Sequence, residues 1–300
     1  TPRPDLLDAY KQYTVDGTNF AHNSLPALGV NSVTGEIESV SRTMLKLDTI
    51  SRASNVAAYN RGSIGLTKVP YALTEKGWEQ PVGIAPDAAV QLNKELAAVQ
   101  ACRAKIEVGM EIEMAAILQD AAINFTAAKG NYGDPTTAWT NIAATIVSDV
   151  QDACATILAN TGVVADTLFL NRKQLGYLMK NIQLRASFGN FPVTYDQFLS
   201  MVAPMLALNK IVLSTAVYDS AVPGDPFVGA NIWSDSYVLV AKVGGGLNPS
   251  VAKKVFVEGD DGIVVEDYPE PQTRSNVVRA RTFSNTVLFD DMCGYLIKVD

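Results

Sequence analysis

The sequence predicts a mixed α+β fold. Three observations predict it: a helical run of 40 residues from Pro86 to Phe125, a segment over 135–243 in which helical and strand patterns alternate, and a run over 41–85 without any sustained helical period. The helical run reads PDAAVQLNKELAAVQACRAKIEVGMEIEMAAILQDAAINF. Pro86 suits a first-turn position, Asp87 complements the positive helix end, and Gly109 is the only glycine. Such a helix would span about 60 Å, two to three times the usual length in globular proteins. Leu92, Leu96, Val99, Ile106, Met110 and Ile117 recur near heptad spacing, and Cys102, Met114 and Leu118 widen the stripe. Arg103 and Glu107 are four apart and can pair across one turn. A rod of this kind can carry a sheet along one side; the plainer reading is a buried hairpin helix in an enzyme.

The remaining elements follow in chain order. Residues 1–40 read as an arm, with Leu6, Leu7, Tyr10 and Tyr13 in a short helix and Pro26 and Gly29 interrupting regular structure before a strand over Val33 to Val40. Over 41–85 the hydrophobics interleave with Arg42, Lys46, Arg52, Arg61, Lys68 and Lys76. So long a stretch without strong structure is either a lid or a long two-stranded loop, and an isolated hairpin needs a surface to lie on, naturally a neighbouring subunit. A second helix is expected from Pro135 to Asn160, with Asp134 as N-cap and Gly162 as terminator. Thr167 to Leu170 reads as a strand and Asn171 as the cap of a helix to Asn181, followed by a capping-box spacing at Thr194 and Gln197. Residues 210–218 and 231–243 read as strands. Asp261-Gly262 between apolar runs signals a hairpin, DYPEPQTRSN a polar loop, and Val277 to Phe289 with Gly294 to Val299 a closing strand pair. Alternation puts Arg279, Arg281 and Phe283 on one face of the first of these.

Composition narrows the function classes. The chain has 300 residues, 48% of them apolar, enough for one large domain or two modest ones with a real core. Its net charge is −7 and it has no basic block, which argues against nucleic-acid binding by counterion release but not against a protein that merely surrounds DNA. No apolar run is long enough to span a membrane. The N-terminus lacks a basic-then-apolar leader, and a start at Thr1 fits either Met removal or propeptide trimming. Cys102, Cys154 and Cys293 are odd in number and far apart, as expected of reduced, buried thiols. The single histidine, His22, makes zinc sites and histidine catalysis improbable and is expected at the surface or in an interface.

No motif survives as a catalytic, cofactor or metal site. Gly244 to Gly246 lacks the GK[ST] of a phosphate loop, Asp260-Asp261 and Asp290-Asp291 lack the further ligands of a calcium loop, and no nucleophile has a patterned base. The sequon at Asn124 has no secretion signal behind it. No cofactor is called for. The Lys and Arg of 42–76 form either a solvated face or contacts to acidic patches on a neighbour.

The order of segments resembles the major capsid proteins of tailed bacteriophages, the Hong Kong 97 type. Phe20, Ala21, His22, Asn23, Leu25, Pro26, Leu28, Val30 and Thr34-Gly35 are similar to that family's N-terminal pattern. Tyr71, Glu75, Trp78 and Glu79 resemble its aromatic and acidic bridge, and 86–125 its spine helix with Glu107, Glu111 and Glu113. Leu168, Leu170, Asn171, Leu175 and Leu178, then Tyr218 and Ala221, Ile232-Trp233, Val238-Leu239 and Gly294 to Ile297 match later segments. Coverage is nearly the whole chain, and the order of the matches carries the resemblance rather than any one motif.

The resemblance implies a Hong Kong 97-like fold with an N-terminal arm (1–40), an extended β-hairpin loop (41–80), a peripheral domain (81–133 and 250–290) containing the spine helix, and an axial α/β domain (134–249 and 291–300). It implies self-assembly through hexamers and pentamers into an icosahedral shell around double-stranded DNA, in a virion built in the host bacterial cytoplasm. Scaffolding, portal and decoration proteins are the further partners it suggests, with no membrane and no enzymatic activity. The implied assembly interface comprises Arg42, Lys46, Arg52, Arg61, Lys68, Lys76, Asp267, Glu270 and Arg274. Where family members cross-link a loop Lys to a peripheral Asn, the pair here would be Lys68 and Asn276. Two other readings stand beside it: an encapsulin-type nanocompartment shell around a cargo enzyme, and a soluble α/β enzyme with a mobile lid at 41–80.

Overall fold

A computed structural model of the chain describes residues 4–12, 20–40, 66–84, 88–188, 194–222, 224–245, 248–257 and 263–300. Two five-stranded sheets share one long helix. The first sheet contains β1 (Ala27–Val30), β4 (Thr74–Gly83), β11 (Ala252–Val257), β12 (Ile263–Glu270) and β13 (Ser275–Leu288). β13 is its centre: it pairs antiparallel with β4, β11 and β12, while β1 adds to β11 in parallel. The helix α2 (Ala88–Leu118) lies along this sheet and buries Val99, Cys102, Ile106 and Met110 against Val278 and Ala280. The short helix α1 (Pro4–Gln12) adds Leu6 and Tyr10 to the same core. The apolar stripe read from the sequence is thus the buried face, except that Leu92 is exposed.

The second sheet runs β5 (Tyr132–Gly133), β14 (Gly294–Lys298), β10 (Tyr237–Ala241), β6 (Thr167–Asn171), β7 (Lys210–Ser214). Period-two alternation divides it between two cores. Leu168, Leu170, Val238, Val240 and Ile297 face a layer formed by α3 (Ile146–Thr161), α4 (Arg172–Lys180), α5 (Ile182–Phe188) and α6 (Tyr195–Met205). Phe169, Leu239, Ala241 and Leu296 face the end of α2, with Met114, Leu118, Phe125 and Trp233. Both faces are covered, so the strands read as unbroken apolar runs. Two small hairpins stand apart: β2 (Thr34–Val40) with β3 (Leu66–Ala72), and β8 (Val217–Asp219) with β9 (Gly229–Asn231).

The structure departs from the sequence reading at definite places. The long helix stops at Leu118 rather than Phe125. Asp120 accepts from the amides of Ala122 and Ile123, Asn124 donates to the Ile117 carbonyl, and the resulting turn delivers Phe125 into the core. The second helix begins at Ile146, not Pro135. Residues 135–145 instead carry the fully buried Trp139, whose amide donates to the Val299 carbonyl and whose Nε1 donates to Asp149; burying that indole outweighs one more helical turn. Gly162 does end the helix, in the left-handed conformation at φ 72°.

The stretch 210–218 splits into β7 and β8, and the strand expected over 231–243 shrinks to β10. The cause of the second change is the α4 cap. Asn171 Nδ2 and Gln174 Nε2 donate to the carbonyls of Trp233, Ser234, Asp235 and Tyr237 and hold 233–236 as a loop leading into β10. Gly29 sits inside β1, where parallel pairing with β11 supplies the order local sequence does not. The Asp261-Gly262 turn lies outside the described residues, and its flanking strands pair with different stretches of β13 rather than with each other. β13 and β14, read as a closing pair, belong to different sheets. Residues 74–80, counted with the extended loop, are in β4 and locked to β13.

Candidate assembly surfaces

The β2–β3 hairpin is the least self-sufficient element. Its strands pair from Thr34↔Ala72 to Val40↔Leu66, and the Val33 carbonyl accepts from the Leu73 amide at its base. Each described side chain in it is exposed or half-exposed. Ile37, Val69 and Tyr71 share one face, opposite Glu36, Glu38 and Lys68. Tyr71 lies across Gly35, where a Cβ would sit 2.8 Å from the Tyr71 hydroxyl, so this crossing needs glycine. Lys68 pairs with Glu36 at 2.9 Å in the open, and that carboxylate raises the Lys68 pKa.

A second charged surface covers the outer face of β4, β12 and β13. Arg279 and Arg281 both reach Glu266; Arg279 also meets Glu79 and Arg281 meets Glu75, each at 3.3 Å. The Arg279 guanidinium holds the Glu266 carboxyl below its ordinary range. Lys76, on β4, is engaged by Glu113 of the long helix.

The expected interface residues therefore separate. Arg42, Lys46, Arg52 and Arg61 lie outside the described residues. Lys68 is on the hairpin and Lys76 on the sheet. Asp267 and Glu270 are in β12, and Arg274 closes the β12–β13 turn at φ +50°. The presumed DYPEPQTRSN loop is thus mostly strand, with a tight turn over 271–274 in which Thr273 Oγ1 donates to Glu270 at 2.6 Å. The five described residues are thus divided among the hairpin, β4 and the end of β12 with its turn.

Sequence reading missed the most connected polar cluster and misplaced its histidine. His22 is buried, not at the surface. It lies in a 3₁₀ turn, Ala21–Ser24, with Nδ1 3.0 Å from Glu111 and Nε2 2.7 Å from Glu107. Glu111, fully buried, accepts from the amides of Ala21 and His22, from Ser214 Oγ at 2.8 Å and from Trp233 Nε1 at 2.6 Å. Arg103 reaches Glu107 at 3.3 Å, the four-apart pair read from the sequence. Burial alone would raise both carboxyl pKa values and lower that of the imidazole. Their mutual pairing outweighs it, so Glu107 and Glu111 are held low and His22 is held high. Ser, His and Glu meet here, but the carboxylate stands between the hydroxyl and the imidazole. That order does not activate a nucleophile, and Ser214 is buried. The spacing of Glu107 and Glu111 puts them on one helix face; nothing local says that His22, some ninety residues earlier, folds onto it.

Among the described residues no helix is long and apolar enough to cross a membrane. None of the three cysteines is in a disulfide; Cys102 and Cys293 are buried and Cys154 half-buried.

No protein-family model matches the sequence, and no curated protein matches it. Solved structures do. A phage-related protein from Bordetella bronchiseptica RB50 aligns with a TM-score of 0.74 at 18% identity, over 99% of this chain and 96% of that one. The capsid of cyanophage P-SCSP1u aligns at 0.57 and 11% identity, over 96% and 90%. A virus-like particle from Pyrococcus furiosus aligns at 0.57 and 9% identity, over 98% and 96%. The two sheets on one long helix, with a hairpin projecting from the body, therefore constitute the Hong Kong 97-like fold of phage capsid proteins.

Proposed function

We propose that the chain is a capsid shell subunit of a tailed double-stranded DNA phage, assembling through hexamers and pentamers into an icosahedral shell that encloses the genome. The observation that carries this reading is the β2–β3 hairpin. A two-stranded ribbon with neither face buried is marginal in water and gains stability by lying on another copy. The end-to-end likeness to a capsid supports the same reading. In it, 1–40 is the arm, the hairpin arms over 34–72 frame the extended loop, the β13 sheet with α2 is the peripheral domain, and the β10 sheet with α3 to α6 is the axial domain. The reading assigns Lys68, Asp267, Glu270 and Arg274 to contacts with neighbours, and with them Arg42, Lys46, Arg52 and Arg61, which lie outside the described residues; Lys76 is engaged by Glu113 within the chain. Scaffolding, portal and decoration proteins would be further partners during assembly in the host bacterial cytoplasm.

Purified chain viewed by negative-stain electron microscopy, alongside its elution volume, tests the proposal. Closed polyhedra or flower-like hexamers are expected. A monodisperse 32 or 64 kDa particle at every salt concentration, with or without co-expressed phage assembly proteins, would overturn it. An encapsulin-type nanocompartment remains the second reading, because the fold aligns with the virus-like particle as well as with the cyanophage capsid. Nuclease protection of native particles separates the two: protected DNA supports the phage capsid, folded cargo protein the nanocompartment. Of the lid expected at 41–80 in the enzyme reading, 66–72 and 74–80 are strand, and 41–65 lie outside the described residues.

A further inference from the structure

We propose that His22, held as an imidazolium between Glu107 and Glu111, is a proton-operated latch that fixes residues 20–30 to the long helix and releases them when it deprotonates. The geometry favours the charged ring. Inside the protein Nδ1 is hydrogen-bonded to Glu111 at 3.0 Å, and Nε2 stands 2.7 Å from a Glu107 oxygen as a close ion-pair contact outside hydrogen-bond alignment. A neutral imidazole has one N–H, so its other nitrogen would turn a lone pair toward a carboxylate. The remaining groups around the cluster are accounted for. Arg103 on α2 and Lys254 on β11 add positive charge near Glu107, and Tyr10 on α1 lies near the same carboxylate. Ser214 and Trp233 donate to Glu111, and the Phe20 ring sits 5.5 Å from the imidazole. Losing the His22 proton leaves two buried carboxylates facing one another across a neutral ring.

What the latch holds is defined by the fold. The amides of Ala21 and His22 are tied to Glu111, and the next element, β1, is an edge strand that pairs, among the described residues, only with β11. Beyond β1 the chain passes directly into the β2–β3 hairpin. The state of one proton thus bears on how firmly the base of that hairpin is set.

The sign follows from linkage. A group whose pKa is higher in the closed state stabilises closure fully below its open-state value and loses that contribution as pH rises through the closed-state value. His22 is the chain's only histidine, so hydrogen–deuterium exchange at its ring C–H, read by mass spectrometry on the full chain, reports this residue alone. Amide exchange on the same samples across pH 5.5–9.5, corrected for intrinsic rates, reads the latch. The expected His22 midpoint lies above 6.5. Protection of peptides covering 20–30 should fall by about tenfold per pH unit between 6.5 and that midpoint, then level off, while β6 and β10 peptides stay constant. Glu107→Gln should lower the midpoint and narrow the fall. A midpoint at or below 6.5, or protection over 20–30 that is flat through the titration, would overturn the latch.

Discussion

Glu111 accepts from five donors contributed by three separate parts of the chain: the 3₁₀ turn, β7 and the Trp233 loop. A buried carboxylate is tolerable only when so fully satisfied. Glu111→Gln would turn an amide N–H₂ toward groups that themselves donate, and should cost about 3 kcal/mol in denaturant unfolding. A loss under about 0.5 kcal/mol would mean that the cluster is not a stabilising hub. Met110, buried against β13, gives the apolar counterpart. Met110→Lys should cost more than about 3 kcal/mol, whereas Met110→Leu should cost less than about 1.5 kcal/mol, both read from urea midpoints. The same cluster sets a pH window. Glu107 and Glu111, held low, stabilise above the ordinary value of 4.5 and lose this as pH falls through their lowered values. His22, held high, stabilises below 6.5 and loses this as pH rises through its raised value. The urea midpoint should therefore be highest between about 4.5 and 6.5 and decline on both sides.

At the scale of elements, the hairpin offers the cleanest separation of folding from assembly. Val40 and Leu66 are register partners, so an Asn-Gly turn can join them in place of 41–65. The shortened chain should keep the parent's melting temperature and fail to form closed shells in the microscope. Normal shells would remove the extended loop from the assembly reading. Elements also show what sequence reading can reach. The helix, its buried stripe, the Asn171 cap and the Arg279/Arg281 face were legible because spacing of three, four or two encodes them locally. The early end of α2, the late start of α3 and the loop at 233–237 were not, because Phe125, Trp139 and the Asn171–Gln174 pair act through partners distant in sequence. His22 is the extreme case: an isolated polar residue in an irregular segment reads as surface until Glu107 and Glu111 are seen beside it.

For the whole molecule, the two sheets share α2 as a common support: its middle, from Ala98 to Met110, lies in one core and its C-terminal turn, with Met114 and Leu118, in another. The core at the C-terminal end of α2 also joins the sheets directly, with Ala252 and Leu288 of one packed among Phe169, Leu239 and Leu296 of the other. A loop-to-sheet covalent bond between Lys68 and Asn276 would show on a boiled denaturing gel of assembled particles as a ladder. A single band near 32 kDa would dismiss the bond.

The placing of β13 and β14 has a consequence for synthesis. β13 is the spine of one sheet, and β14 lies between β5 and β10 in the other. A nascent chain that has reached residue 274 therefore has α2 and most of its strands, yet both sheets lack their middles. β4 and β12 lack their described partner until β13 emerges, β11 has only β1, and β10 has one bare edge until β14 follows. A ribosome that stalls or drops off before that point releases a chain with no finished sheet to offer a neighbour. Under the shell proposal, access to the growing assembly would thereby be confined to chains that carry β13 and β14, a check carried out by topology alone.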